Sequence, residues 1–294
     1  MTHTQRIERC RPAAQIIIQL ILAISAVTSS ALATATPLGS CNKHVVITGY
    51  WPPTNEMLRP WSTDPELNPT GWIGANWGDY GFDVHAFFPE FPPDGNPMND
   101  PFGSDGWIGS PASDLRVDFQ DTSADFWRIM DDYQPSILIT TSRGGQIDWE
   151  LEAIEGGHQG PKPDPARDWR ADEHGADTYP TQASIDPRSW HAISTYRAGQ
   201  TLDSQLPLAQ IAAATRALNL GNVDIDRHGT SGNYLSGFMG LHGLYYHQLA
   251  PHSVAAGHIH VGTMLPVDSA RALMEATLHA VLSEFDAQQL PCPN

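Results

Sequence analysis

A single α/β domain, with a twisted, mostly parallel or mixed sheet and helices on both faces, is the fold class that the sequence predicts. Three observations predict it. Short β-branched runs alternate with segments of helical spacing from residue 45 to the end of the chain. One of those runs, Ser136-Ile137-Leu138-Ile139-Thr140-Thr141, is continuously apolar at its centre, as a strand covered on both faces must be. Finally, about 260 residues remain beyond the amino-terminal segment, a length that suits one large domain better than two small ones.

That first segment, residues 1–35, reads as a cleaved signal peptide. Arg6, Arg9 and Arg11 stand against one acid, Glu8, ahead of an apolar run from Ile16 to Val27 and the small-residue site Ala31-Leu32-Ala33. The run is shorter than the roughly 20 residues that span a bilayer, so export rather than anchoring is expected, to the periplasm or the exterior. The domain is then expected over residues 36–294.

Val45-Val46-Ile47-Thr48-Gly49-Tyr50 predicts a buried first strand that runs into a loop. Residues 51–115, rich in Trp, Gly, Pro and Asp, predict long loops around one further strand at 82–88. A helix is expected over 123–133, capped by Ser123 and ended by Gln134-Pro135, before the strand at 136–141. A polar loop follows at 155–190. Then come a helix at 206–218, a strand at 223–225, a helix at 234–249, a strand at 255–261 and an amphipathic helix at 267–288.

Charge and cysteine usage narrow the function classes. Without the leader, 13 of the 16 basic and 32 of the 33 acidic residues remain, and the whole chain has two lysines, Lys43 and Lys162. No basic patch can be assembled from these for a phosphate backbone, which excludes nucleic acid as a partner. Cys10 leaves with the leader. The remaining pair, Cys41 and Cys292, sit at the two ends of the exported chain, where an oxidising compartment favours a disulfide between them over two free thiols. Neither lies near a candidate active site, so thiol catalysis is excluded.

Three segments carry candidate chemistry: Ser142-Arg143-Gly144-Gly145-Gln146-Ile147-Asp148-Trp149-Glu150, Ser231-Gly232-Asn233-Tyr234-Leu235-Ser236, and Gly257-His258-Ile259-His260-Val261. Together with Val46-Ile47-Thr48-Gly49-Tyr50 and Pro52, they resemble, in order and spacing, the motifs of the pyroglutamyl-peptidase I (pyrrolidone-carboxylate peptidase) family of cysteine peptidases. The resemblance implies a phosphorylase/hydrolase-like α/β fold and a site in which Ser236 takes the place of the nucleophilic cysteine, His260 that of the histidine and Glu150 that of the glutamate. It implies that Tyr50, Gly144, Gly145 and Gln146 line the substrate pocket. Departures accompany it: Pro53 replaces the second phenylalanine of the pocket, Gln146 is offered where the family has an arginine, and the segments near 64–115 and 155–190 are insertions.

A hydroxyl needs a base in contact with it, because it is not ionised at neutral pH. His260 as base and Glu150 as its orienting carboxylate supply a Ser-His-Glu triad that needs no cofactor. An exported hydrolase cleaving an amide or ester is therefore expected, its substrate a small peptide or amide with an amino-terminal pyroglutamyl group as one candidate. The alternative is a noncatalytic protein that binds a small molecule or peptide on the same scaffold. No membrane partner is expected after leader cleavage, and association into oligomers is left open. A metal reading of His258-Ile259-His260 is disfavoured. It would require a twisted or edge strand and a third ligand such as His228, His247 or Asp226.

Overall fold

In the computed structural model the described residues are 41–51, 53–91, 109–110, 113–156, 201–229 and 234–293. The predicted signal peptide therefore lies outside them, as does most of the predicted polar loop at 155–190. Their framework is a six-stranded sheet. Its strands are β1 (Lys43–Thr48), β2 (Phe82–Phe87), β3 (Ile137–Gly144), β4 (Asp148–Glu152), β7 (Asn222–Asp226) and β8 (Ala255–Gly262), in the order β2-β1-β3-β8-β4-β7. β2, β1, β3 and β8 are mutually parallel, whereas β4 pairs antiparallel with β8 and parallel with β7. A two-stranded antiparallel sheet joins β5 (Ile154–Gly156) to β6 (Thr201–Asp203).

Period-two geometry sorts the side chains of this sheet onto two faces. Val45, Ile47, Ile137, Ile139, Trp149, Leu151, Ile259 and Val261 point to one face. There they pack against α1 (Thr54–Leu58), α3 (Leu208–Leu218) and α5 (Val267–Leu282). Val46, Leu138 and Ala256 point to the other face, against α2 (Phe119–Tyr133) and α4 (Leu235–Leu249). The result is a single α/β domain with a mostly parallel mixed sheet flanked by helices, the class the sequence predicts.

Two local expectations are corrected. The 119–133 helix starts four residues before the predicted serine cap. Its cap is Asp118, whose carboxylate accepts from the Gln120 and Asp121 amides, while Ser123 is buried within the helix. Residues 148–152, read as part of a glycine loop, form a strand inserted between β8 and β7. A disulfide joins Cys41, just ahead of β1, to Cys292, with their Cα atoms 5.9 Å apart.

Candidate active site

The face of the sheet beneath α4 is polar where the carboxyl-terminal halves of β3 and β8 meet β4. β8 places His258 and His260 there, with Thr140 and Ser142 beside them on β3 in direct register. From the other side β4 brings Glu150 opposite His260 and Glu152 opposite His258. On a strand with Trp149 and Leu151 in the core, both glutamates must face α4.

His260 Nδ1 lies 2.7 Å from Glu152 Oε1 and 3.7 Å from Glu150 Oε2. Glu152 is fully buried and the Glu150 side chain 31% exposed. The expected Glu150 thus lies within ion-pair distance of the histidine, and Glu152 beside it is the carboxylate at hydrogen-bond distance. A carboxylate only accepts, so Nδ1 carries the hydrogen and the basic lone pair falls on Nε2. The other oxygen of Glu152, Oε2, is buried without a hydrogen-bond partner among the described residues. Burial pushes the Glu152 carboxyl above the usual carboxylate range. The hydrogen bond and charge of His260 oppose that shift, and Asp226 and Glu150 add to it. Glu150 is raised for the same first reason, its burial. Sequence reasoning missed Glu152, yet the signal was present, because Asp148-Trp149-Glu150-Leu151-Glu152 alternates with the period of a half-buried strand.

His258 stands behind this pair, fully buried. Its Nδ1 lies 2.8 Å from Thr140 Oγ1 and its Nε2 2.9 Å from Ser142 Oγ. Burial, and then the neighbouring His260, hold its pKa well below the ordinary histidine value, so the ring is neutral. The two imidazoles are perpendicular, 4.8 Å between centroids. They share a face, as residues two apart on any strand do, so twist or an edge position was never required for them to meet. What separates them from a chelating pair is that both nitrogens of His258 already face hydroxyls.

α4 runs over this cluster with its small residues down. A Cβ on Gly240 would lie 2.6 Å from Glu155 Oε1 and 3.1 Å from His258 Cγ, and one on Gly243 would touch Thr140. At its far end Tyr246 donates to the Pro135 carbonyl, so the helix runs antiparallel to β3 and β8. Ser236 belongs to the same stripe, one turn before Gly240 and in the first turn of the helix. Four helical residues rise about 6 Å and two strand residues about 6.6 Å. Residue 236 therefore reaches the level of His260. First-turn amides of a helix lack intrahelical acceptors and carry the positive end of its dipole.

The expected pocket residues divide. Gly144 ends β3 against His260, where a Cβ would come within 2.8 Å of the His260 Cβ. Gly145 and Gln146 turn the chain into β4, their carbonyls accepting from the Thr263 and Met264 amides at 2.9 and 2.6 Å. Tyr50 is 2% exposed and belongs to the core beneath α2, with its hydroxyl 3.2 Å from Thr122 Oγ1.

No protein-family model and no curated protein matches the chain. Solved structures do. A mutant pyrrolidone carboxyl peptidase from the hyperthermophile Pyrococcus furiosus is 16% identical with a TM-score of 0.52, over 82% of this chain and 99% of that one. The pyrrolidone carboxyl peptidase from the same organism, solved together with its Cys-free mutant, is 15% identical with a TM-score of 0.52, over 82% and 99%. The chain therefore has the α/β fold of the pyrrolidone carboxyl peptidases.

Proposed function

We propose that this protein is a hydrolase that cleaves an amide or ester of a small peptide-like substrate, with Ser236 as nucleophile, His260 as base and Glu152 as the carboxylate that orients the imidazole. The observation that carries the reading is the buried 2.7 Å contact between His260 and Glu152, and the packing of Gly240, one turn after Ser236, against His258 supports it. In the proposed reaction Nε2 of His260 takes the Ser236 proton as Oγ attacks the carbonyl. Glu152 stabilises the imidazolium that forms, and first-turn amides of α4 receive the developing oxyanion. The imidazolium then protonates the leaving amine or alcohol, and water repeats the sequence on the acyl-serine.

The fold of the neighbouring peptidases supports an amino-terminal pyroglutamyl group as the first substrate to test. Export through the residue 1–35 leader belongs to the same proposal, and the Cys41–Cys292 disulfide supports an oxidising compartment for it. A fluorophosphonate probe is expected to label wild-type protein at Ser236 and to leave Ser236→Ala unlabelled, with turnover falling at least about a thousandfold in that variant. Binding of pyroglutamyl compounds by protein that neither labels nor turns over would instead identify a noncatalytic binding protein. Glu150, Glu152 and His260 are also close enough together to share a metal. Turnover undiminished by a chelator is expected of the triad, since an ion there would consume the nitrogen that Glu152 holds.

A further inference from the structure

A second group of ligating side chains lies at the opposite end of the sheet, on the edge strand β2 and its neighbour β1. We infer that His44, Asp83 and His85 form a site for a divalent transition metal of the zinc type, with three protein ligands and a position left for water.

β1 and β2 pair in parallel with His44 opposite Asp83 and Val46 opposite His85. Val84 and Ala86 point into the opposite core, so Asp83 and His85 emerge on the same face as His44. His44 Nδ1 and His85 Nε2 face each other at 3.1 Å, and the donor atoms of all three residues lie within 4.8 Å of one another. Two nitrogens bound tetrahedrally to zinc stand roughly 3.3 Å apart, which this pair nearly matches before any ion arrives. Two imidazoles and one carboxylate are the donor set that zinc favours over magnesium or calcium.

The surroundings hold these groups in place. Trp72 stacks on His85 at 4.9 Å and 19°, with its indole nitrogen donating to the Val84 carbonyl. Tyr133 packs against both imidazoles. Asp83 Oδ1 accepts from the Asn76 amide at 2.8 Å, which fixes the carboxylate and directs its other oxygen to the ion. His85 is 6% exposed, so its ring is held in place by packing rather than by water. His44 and Asp83 are only half-buried, which leaves the ion a way in. On binding, the ring whose hydrogen lies between the two nitrogens moves it to its other nitrogen, and no redox step is involved.

Chelator-treated full-length protein, titrated calorimetrically with Zn2+, tests this. The expected result is one equivalent bound at this site, with affinity reduced at least tenfold in His44→Gln and in Asp83→Asn, both checked for folding by circular dichroism. That equivalent should persist in His260→Asn, whether or not the latter loses a second one. Cobalt in place of zinc should give the intense visible absorption of a tetrahedral site, absent in His44→Gln. Absence of stoichiometric binding in the wild type would overturn the proposal. So would binding that survives both edge-strand variants, or binding that only His260→Asn removes.

Discussion

Glu152 and Glu150 are chemically identical, two residues apart and on one face, yet their substitutions should not cost the same. Glu152 is fully buried and 2.7 Å from His260 Nδ1, whereas Glu150 is partly solvated at 3.7 Å. Replacing Glu152 with Gln removes the charge that stabilises the imidazolium and frees the ring to take the wrong tautomer. The expected loss in kcat is about 10²–10⁴-fold, with less than about tenfold for Glu150→Gln. Steady-state kinetics on whichever amide or ester is turned over will distinguish them. The wild-type acid limb has a sign as well. Glu152 must be ionised to accept from Nδ1, and burial raises its pKa, so activity should fall on acidification before the ordinary carboxylate range is reached. Glu152→Gln should move that limb. The strand that carries His260 and the helix start that carries Ser236 were legible in the sequence. The bonded glutamate was not, because the motif pointed two residues early and the alternation that marks β4 follows a Gly-Gly turn.

At the scale of elements, the stripe of small residues on α4 sets how closely the helix lies on the site. Gly240→Ala should be destabilising by about 1–3 kcal/mol, since its methyl would meet the buried Glu155 carboxylate and the His258 ring. Gly243→Ala meets Thr140 Cγ2 at 3.3 Å, and the gain in helix propensity of up to about 1 kcal/mol offsets that contact. Urea unfolding of the two variants is expected to show a clear loss for the first and little change for the second. β1 and β3 were legible from their β-branched runs, because a strand buried on both faces has little freedom in composition. The reversal of β4 and β7 relative to β8 was not. Direction depends on how the chain turns between strands, and β4 leaves β3 through only three residues, 145–147, so that it runs back against β8.

Over the whole molecule, acidity and buried histidines together set how stability depends on pH. His242 is fully buried between α2 and α4, within 3.2 Å of Ser123 Oγ and 2.8 Å of the Phe238 carbonyl. Burial lowers its pKa from 6.5 to about 4, against a smaller raising effect of the Phe238 carbonyl. A folded-state value below the unfolded one contributes stability that is complete above pH 6.5 and is lost as pH falls towards and through 4. Glu150 and Glu152 have the opposite sign: their raised values favour the folded state at low pH and cost stability as pH rises through those values. Comparing wild type with His242→Phe isolates the histidine. Between pH 7 and pH 4.5 the wild type should lose on the order of 2–3 kcal/mol more than the variant, measured by chemical denaturation.

The disulfide that closes residues 41 and 292 into a ring also makes the order of the elements negotiable. With those two Cα atoms 5.9 Å apart, a peptide linker of a few residues could take over from the sulfur bridge. New ends could then be opened in a surface loop far from α4, giving a circular permutant that presents the same histidine and glutamate cluster from a chain beginning somewhere else entirely.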